Sequence, residues 1–291
     1  MRLWSKMMRN CIRGTLHAAI DTNFRFHQDF FGQYKGVDFK YVLGQKEYTD
    51  CIIATIDKNE EQTYQIITEL ISIFSYVLDK GFIIQDSMHD MFCGKLCDRQ
   101  PGCSQKRMLN VDVETNKLSN YILIGKCPNI NTDHKSSLVR LYRLARVEEY
   151  VNKISSFLFY YHILDYHKKG KSNIAATFIN SFEIRNDLAT HIIDDIKSIN
   201  NNRVFDKQYN HDNPTVDNKL GNYIKFKVRD SVGHIVRRPN TNAHNLKIDS
   251  FAQAKHFHQL VGLMRNMART KLEEVHEFNQ CCDEETLSIK F

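Results

Sequence analysis

Proline and glycine are scarce in this 291-residue chain, at four and 12 positions. A chain so poor in residues that interrupt a periodic backbone favours long helices over a turn-rich β architecture. No run of about 18 uncharged apolar residues occurs, which excludes a conventional membrane-spanning helix. The opening "MRLWSKMMRNCIRG" lacks the apolar stretch of a secretory signal, so the expected address is cytoplasmic, away from membranes. Also missing are a phosphate-binding glycine loop, a Gly-x-Ser-x-Gly elbow and a His-Glu-x-x-His helix. Neither an internal repeat nor a low-complexity tract is visible.

What is present is ordinary for a globular protein: 42% hydrophobic and 25% charged residues. The net charge of +6 and pI near 8.8 suit a phosphate-rich partner, with a solvated basic surface as the plain alternative. Eight cysteines without a secretory signal read as buried or free thiols rather than a disulfide framework. In "HDMFCGKLCDRQPGC", His89, Cys93, Cys97 and Cys103 are zinc-competent, with Cys127 in reserve. Their spacing is not the Cys-x2-Cys of a zinc knuckle and no second pair follows, so thiols are favoured over zinc. The adjacent Cys281 and Cys282 read as inert.

From about Lys135 the apolar period is helical. Leu138, Leu141, Leu144, Val147, Val151, Ile154, Leu158, Tyr161 and Leu164 form one stripe, which predicts a single long helix. After "KKGKSN", the positions Ile174, Phe178, Phe182, Leu188, Ile192 and Ile196 predict a second. A shorter third runs from about Lys219 to Val236, before Pro239, which cannot continue it. Asp249 or Ser250 can cap a fourth, with Ala254, Phe257, Val261, Met264, Ala268, Leu272, Val275 and Phe278 as its stripe. These make a four-helix bundle over residues 136–291. Residues 1–135 are of unknown role. There "YQIITELISIFSYVLDKG" predicts an amphipathic helix ending at Gly81, whereas "FKYVL", "CIIATI" and "NYILIG" each fit a short strand or a buried helical turn. The expected fold class is mainly α, with a mixed α/β or helical N-terminal region.

Sixteen arginines and 13 histidines make an Arg-x4-6-His pattern expected about twice by chance. Pairs that satisfy it include Arg185 with His191, Arg229 with His234, Arg238 with His244, and Arg269 with His276. Asn or Asp follows the arginine only in "RNDLATH" and "RDSVGH". Arg185 and His191 fall in mid-helix, where Asp187 and Asp194 complete a solvated face. Arg269 and His276 bracket "TKLEEV", an ordinary amphipathic surface.

Residues 136 to 280 resemble a HEPN domain, a helical superfamily rich in RNA-cleaving toxins, abortive-infection proteins and CRISPR-linked ribonucleases. Its motif is Arg, commonly followed by Asn, Asp or His, then His after four to six residues, late in the third main helix. Arg229, Asp230 and His234 match that pattern and placement, with "IVRRPNTNAHNLKI" as the following loop. The resemblance implies RNA as substrate and a homodimer whose two motifs line one cleft. It also raises a toxin or phage-defence role, and with it an antitoxin or regulatory partner. On an ideal helix Arg229 and His234 stand about 140° apart. Gly233 weakens the helix where a kink would bring them together.

The residue types suit the chemistry. RNA carries its own nucleophile, the 2′-OH, so cleavage needs a base, an acid for the leaving 5′-oxygen, and positive charge on the phosphate. His234 can do either proton task near neutral pH, and Arg229 offers planar donors that keep their charge. Asp230 can orient one of them. Arg237, Arg238 and Lys247 can hold the RNA backbone. No metal or cofactor is required by this scheme. The alternatives are a HEPN-like module that binds RNA or a nucleotide without cutting it, and a helical interaction protein.

Overall fold

A computed structural model describes residues 14–22, 24, 26–44, 50–56, 59–84, 127–166, 174–185, 221, 224–229 and 251–290, with backbone alone at 183–185, 226–227 and 251–257. It divides into two compact units, Met1–Val147 with Glu277–Phe291, and Glu148–His276.

The first unit is built on a six-stranded antiparallel sheet of order β5-β1-β4-β3-β2-β6. The strands are β1 (Thr15–Thr22), β2 (Phe30–Tyr34), β3 (Val37–Val42), β4 (Asp50–Thr55), β5 (Phe82–Ile84) and β6 (Leu287–Lys290). The expectation of a mainly α chain is thereby corrected, because the fold is an α/β mix. In β1, Leu16, Ala18 and Ile20 are buried and alternate with more exposed neighbours, the period of a half-buried strand. Ala, Thr and His dilute that alternation, and β2 and β6 are too short to show one. "FKYVL" and "CIIATI" are strands, pairing Phe39 with Ala54 and Tyr41 with Ile52. "NYILIG" lies outside the described residues.

Aromatic side chains fill the space between the sheet and helix α1 (Glu60–Leu78). Phe30 stacks on Tyr41, its cross-strand partner, with centroids 4.9 Å apart. Phe74 of α1 meets Phe26, Phe30 and Phe39 edge-on at 5.8 to 6.4 Å. Each ring so buried stabilises the unit by roughly 2–3 kcal/mol. Asn59 caps α1 by accepting from Gln62 N at 2.7 Å. The helix stops at Leu78, short of Gly81, because Asp79 takes a left-handed cap conformation with φ 51°.

That cap organises helix α2 (Asp133–Val151). The Asp79 carboxylate accepts from the Tyr142 hydroxyl at 2.6 Å and pairs with Arg146 at 3.3 Å, while its carbonyl takes a second Arg146 donor at 2.7 Å. Arg143 donates to Ser72 Oγ and to the Phe82 carbonyl, both at 3.1 Å, and Arg140 donates to the Gln65 carbonyl at 3.2 Å. Three arginines spaced by three thus share one helix face and fasten α2 to α1 and β5.

The single long helix expected from Lys135 to Leu164 is broken at Asn152. This residue is extended (φ −146°), and its side chain accepts from Ile154 N and Ser155 N, capping helix α3 (Lys153–Asp165). After the break Tyr161 and Leu164 of the predicted stripe are buried together with Phe157 and Tyr160, whereas Val151 of that stripe, beside the break, is 69% exposed. The second unit continues with α4 (Ile174–Arg185), a π-helical segment (Ile224–Arg229) and α5 (Phe251–Val275). Val261, Met264, Ala268 and Leu272 form the buried stripe of α5, and Val275, expected on it, is 54% exposed. The expected capping residues Asp249 and Ser250 lie outside the described residues. Among the described residues, no helix is long and apolar enough to cross a membrane.

After α5 the tail returns to the first unit, where β6 extends the sheet by pairing with β2. Lys35 and Gly36, both at positive φ, make the tight β2–β3 turn, and the Lys35 amide donates to the Thr286 carbonyl at 2.9 Å. A Cβ on Gly32 would stand 2.0 Å from the Ser288 carbonyl oxygen, so only glycine allows β6 to lie this close. Gly32→Ala is therefore expected to displace β6 and to cost about 1–3 kcal/mol. Hydrogen exchange should report faster exchange confined first to the backbone of Leu287–Lys290, and unchanged protection there would contradict this assignment.

Candidate functional site

Arg229 is the final residue of the π-helical segment, a geometry often found where a helix serves a function. Ile224 and Val228 anchor the segment and are fully buried. Upstream, Gly221 lies directly on α4: a Cβ there would meet the Ala176 carbonyl oxygen at 2.1 Å. The Gly221 amide donates to Asn180 Oδ1 at 2.8 Å, which fixes the approach. Held this way, the half-buried Arg229 places its guanidinium carbon 5.6 Å from the ring centroid of Tyr161 on α3. Such a cation–π contact contributes about 0.5–1 kcal/mol and orients the planar donors.

The last turn of α3 receives other basic groups too. Lys271 of α5 is 2% exposed and donates its ammonium to the carbonyls of Leu164 and of Tyr166, the latter at 3.4 Å. It also lies 5.5 Å from the ring centroid of Phe178. These carbonyls are the negative end of the helix, where a cation is favoured. His276, beyond the end of α5, meets Tyr166 edge-on at 5.8 Å. Burial pulls the Lys271 ammonium down to about 8, with nearby Asp165 acting in the opposite direction. No local pattern marked Lys271, since its role depends on a helix more than a hundred positions away.

Of the expected catalytic set, Arg229 alone is placed. Asp230 and His234 lie outside the described residues, as do Arg237, Arg238, Lys247, His244 and His191, and the Arg185 side chain. Arg269 pairs with Glu273 at 3.3 Å, one helical turn away, and His276 packs on Tyr166. His89, Cys93, Cys97 and Cys103 are likewise outside the described residues. Cys127 is buried. Among the described residues, no group of three or more His, Cys, Asp or Glu is placed to hold a metal ion.

The first unit holds a separate polar cavity of about 440 Å³, lined among others by Lys35, Gln62, Glu69, Asp133, Ser136 and Arg140. Two of its charges compensate each other: Lys35 contacts Glu69 at 2.5 Å, and the Tyr34 hydroxyl donates to the same carboxylate oxygen. Burial, with Glu69 alongside, raises the Tyr34 phenol far above its ordinary value. The cavity had no sequence signal, because a hairpin turn and two helices contribute its walls.

The depressed Lys271 pKa carries a definite sign. Between about 8 and 10.5 the unfolded chain binds a proton that the folded chain does not, so folding stability from this group rises with pH through that window. The difference in unfolding free energy between wild type and Lys271→Met should grow by about 2–3 kcal/mol from pH 8 to 10.5. Denaturant titrations of both proteins check this, and parallel pH profiles would contradict it.

Residues 138–273 match the family model of MauJ, described as methylamine utilization protein MauJ. No curated protein and no solved structure matches the chain.

Proposed function

We propose that the protein is a metal-independent endoribonuclease of the HEPN type, acting by attack of the RNA 2′-OH on the adjacent phosphate. The observation that carries this reading is the placement of Arg229. It ends a segment locked by Gly221, Ile224 and Val228 and lies over the Tyr161 ring, which holds a permanent cation in one orientation. A guanidinium so held suits charge that develops on a phosphoryl oxygen, and its planar donors match that group.

In this scheme Arg229 neutralises the phosphate, His234 transfers the proton and Asp230 orients one of them. Arg237, Arg238 and Lys247 hold the RNA backbone through charge. One Arg and one His supply too few groups for both proton transfers, and an isologous homodimer doubles them. The reading extends to a cytoplasmic toxin or phage-defence effector, held in check by an antitoxin or a regulatory partner. The family matching residues 138–273 is named for methylamine utilization and not for ribonuclease activity, so the reading rests on the motif and on Arg229.

Variants separate the roles. With total RNA as substrate and EDTA present, His234→Ala should lose about 10²–10⁴-fold in cleavage while retaining RNA binding. Arg229→Ala should weaken both, and Arg185→Ala and His191→Ala should stay near wild type. Gly221→Ala, which touches no charge, should behave like Arg229→Ala by displacing the segment. Loss of activity in His191→Ala with full activity in His234→Ala would overturn the assignment.

A further inference from the structure

Cys127 meets the adjacent Cys281 and Cys282, distant from it in sequence, in the first unit. The residues leading into α2 pair with the tail just past α5. Asn129 N donates to the Gln280 carbonyl and Cys282 N to the Cys127 carbonyl, each at 2.8 Å, and Pro128 and Cys281 form the antiparallel bridge between them. Proline is tolerated there because the bonds flank it and its missing N–H is not required. One step along this ladder, Cys127 and Cys282 stand directly opposite each other. Opposed residues of this kind have Cα atoms about 5.5 Å apart and side chains on the same face, a separation that lies within the span of a disulfide. The two thiols lie close enough to perturb each other's ionisation. Cys127 is buried, Cys282 half-buried and Cys281 exposed.

We propose that Cys127 and Cys282 are a redox pair, closed to a disulfide by an oxidant of the peroxide class and reopened by a dithiol. Their mutual interaction divides the roles. It holds the Cys127 thiol far above its ordinary range, with burial adding to the effect, and lowers Cys282. Cys127 therefore keeps its proton and Cys282 is the nucleophile, since the thiolate is the reactive form. The Cys282 thiolate attacks one peroxide oxygen and breaks the O–O bond. Hydroxide departs with the electron pair and takes up a proton, leaving a sulfenic acid on Cys282. The Cys127 sulfur then attacks that sulfur, the S–O bond breaks, and the Cys127 proton leaves with the oxygen as a second water. Two thiols and one peroxide become one disulfide and two waters, the sulfurs losing two electrons and the peroxide gaining them. The bond fixes the tail that carries β6 to the residues entering α2. It is independent of the ribonuclease reading, because none of its atoms belongs to that site.

The test uses full-length protein exposed to hydrogen peroxide, alkylated, digested without reductant and analysed by mass spectrometry. The expected product is an intramolecular link, two hydrogens lighter, between the peptide bearing Cys127 and the peptide bearing Cys281 and Cys282. Dithiothreitol should reverse it, Cys281→Ser should retain it, and Cys282→Ser should abolish it. In the reduced wild type, Cys282 should alkylate faster than Cys127, a measurement that needs no substitution. A link that is lost in Cys281→Ser, one made to any other cysteine or between chains, or oxidation of Cys282 to sulfinic acid with Cys127 still a thiol, would overturn the proposal.

Discussion

A cation removed from water must be answered by oxygen, and that constraint governs the packing in both units. Leaving a buried charge unanswered costs several kcal/mol, on the order of 3–5 when one partner is removed. In the first unit Arg146 is 4% exposed and is answered by both the carboxylate and the carbonyl of Asp79. Those acceptors are available because α1 ends in a left-handed cap at that residue. Arg143 is answered by Ser72 and the Phe82 carbonyl, and burial still draws it down to about 10. In the second unit Lys271 is answered by the carbonyls that end α3. Part of the basic surplus is thus spent inside the protein. Arg229 differs from these, being half-buried and set over an aromatic face.

Elements whose periodicity is local were legible in the sequence, and those that depend on distant partners were not. Helix α1 has seven of its apolar positions in phase over five turns, so it stood out. The break at Asn152 did not, because the apolar spacing continues across it and only the cap hydrogen bonds reveal the new start. Strand β6 is four residues long and gains its place from the approach of Gly32, more than 250 positions upstream. The Arg140, Arg143 and Arg146 stripe carries a helical spacing, but nothing in it says that the partners are α1 and β5 rather than a ligand. At the candidate site, Arg229 was singled out by motif and position. Lys271, the polar cavity and the Cys127–Cys282 pair were not, since each is assembled from segments with no shared local pattern.

The family match and the second unit nearly coincide, one covering residues 138–273 and the other Glu148–His276. Arg229, Tyr161, Gly221 and Lys271 all lie within the matched stretch, whereas the sheet and the opposed cysteines lie outside it, which leaves two sets of chemistry-bearing residues with separate requirements. In the second unit it is a fixed cation, in the first a pair of thiols. The proposed reaction at Arg229 has no need of the sulfur chemistry.

The central claim is that the nucleophile belongs to the RNA and that Arg229 serves the phosphate it attacks. The most direct measurement offers the protein, in EDTA, two oligonucleotides of one sequence, RNA and its fully 2′-O-methylated counterpart, and identifies the product ends. The account predicts cleavage of the RNA alone, with a 2′,3′-cyclic phosphate or 3′-phosphate on one fragment and a 5′-hydroxyl on the other. Cleavage of the methylated strand, or 5′-phosphate ends formed only when magnesium is restored, would contradict it.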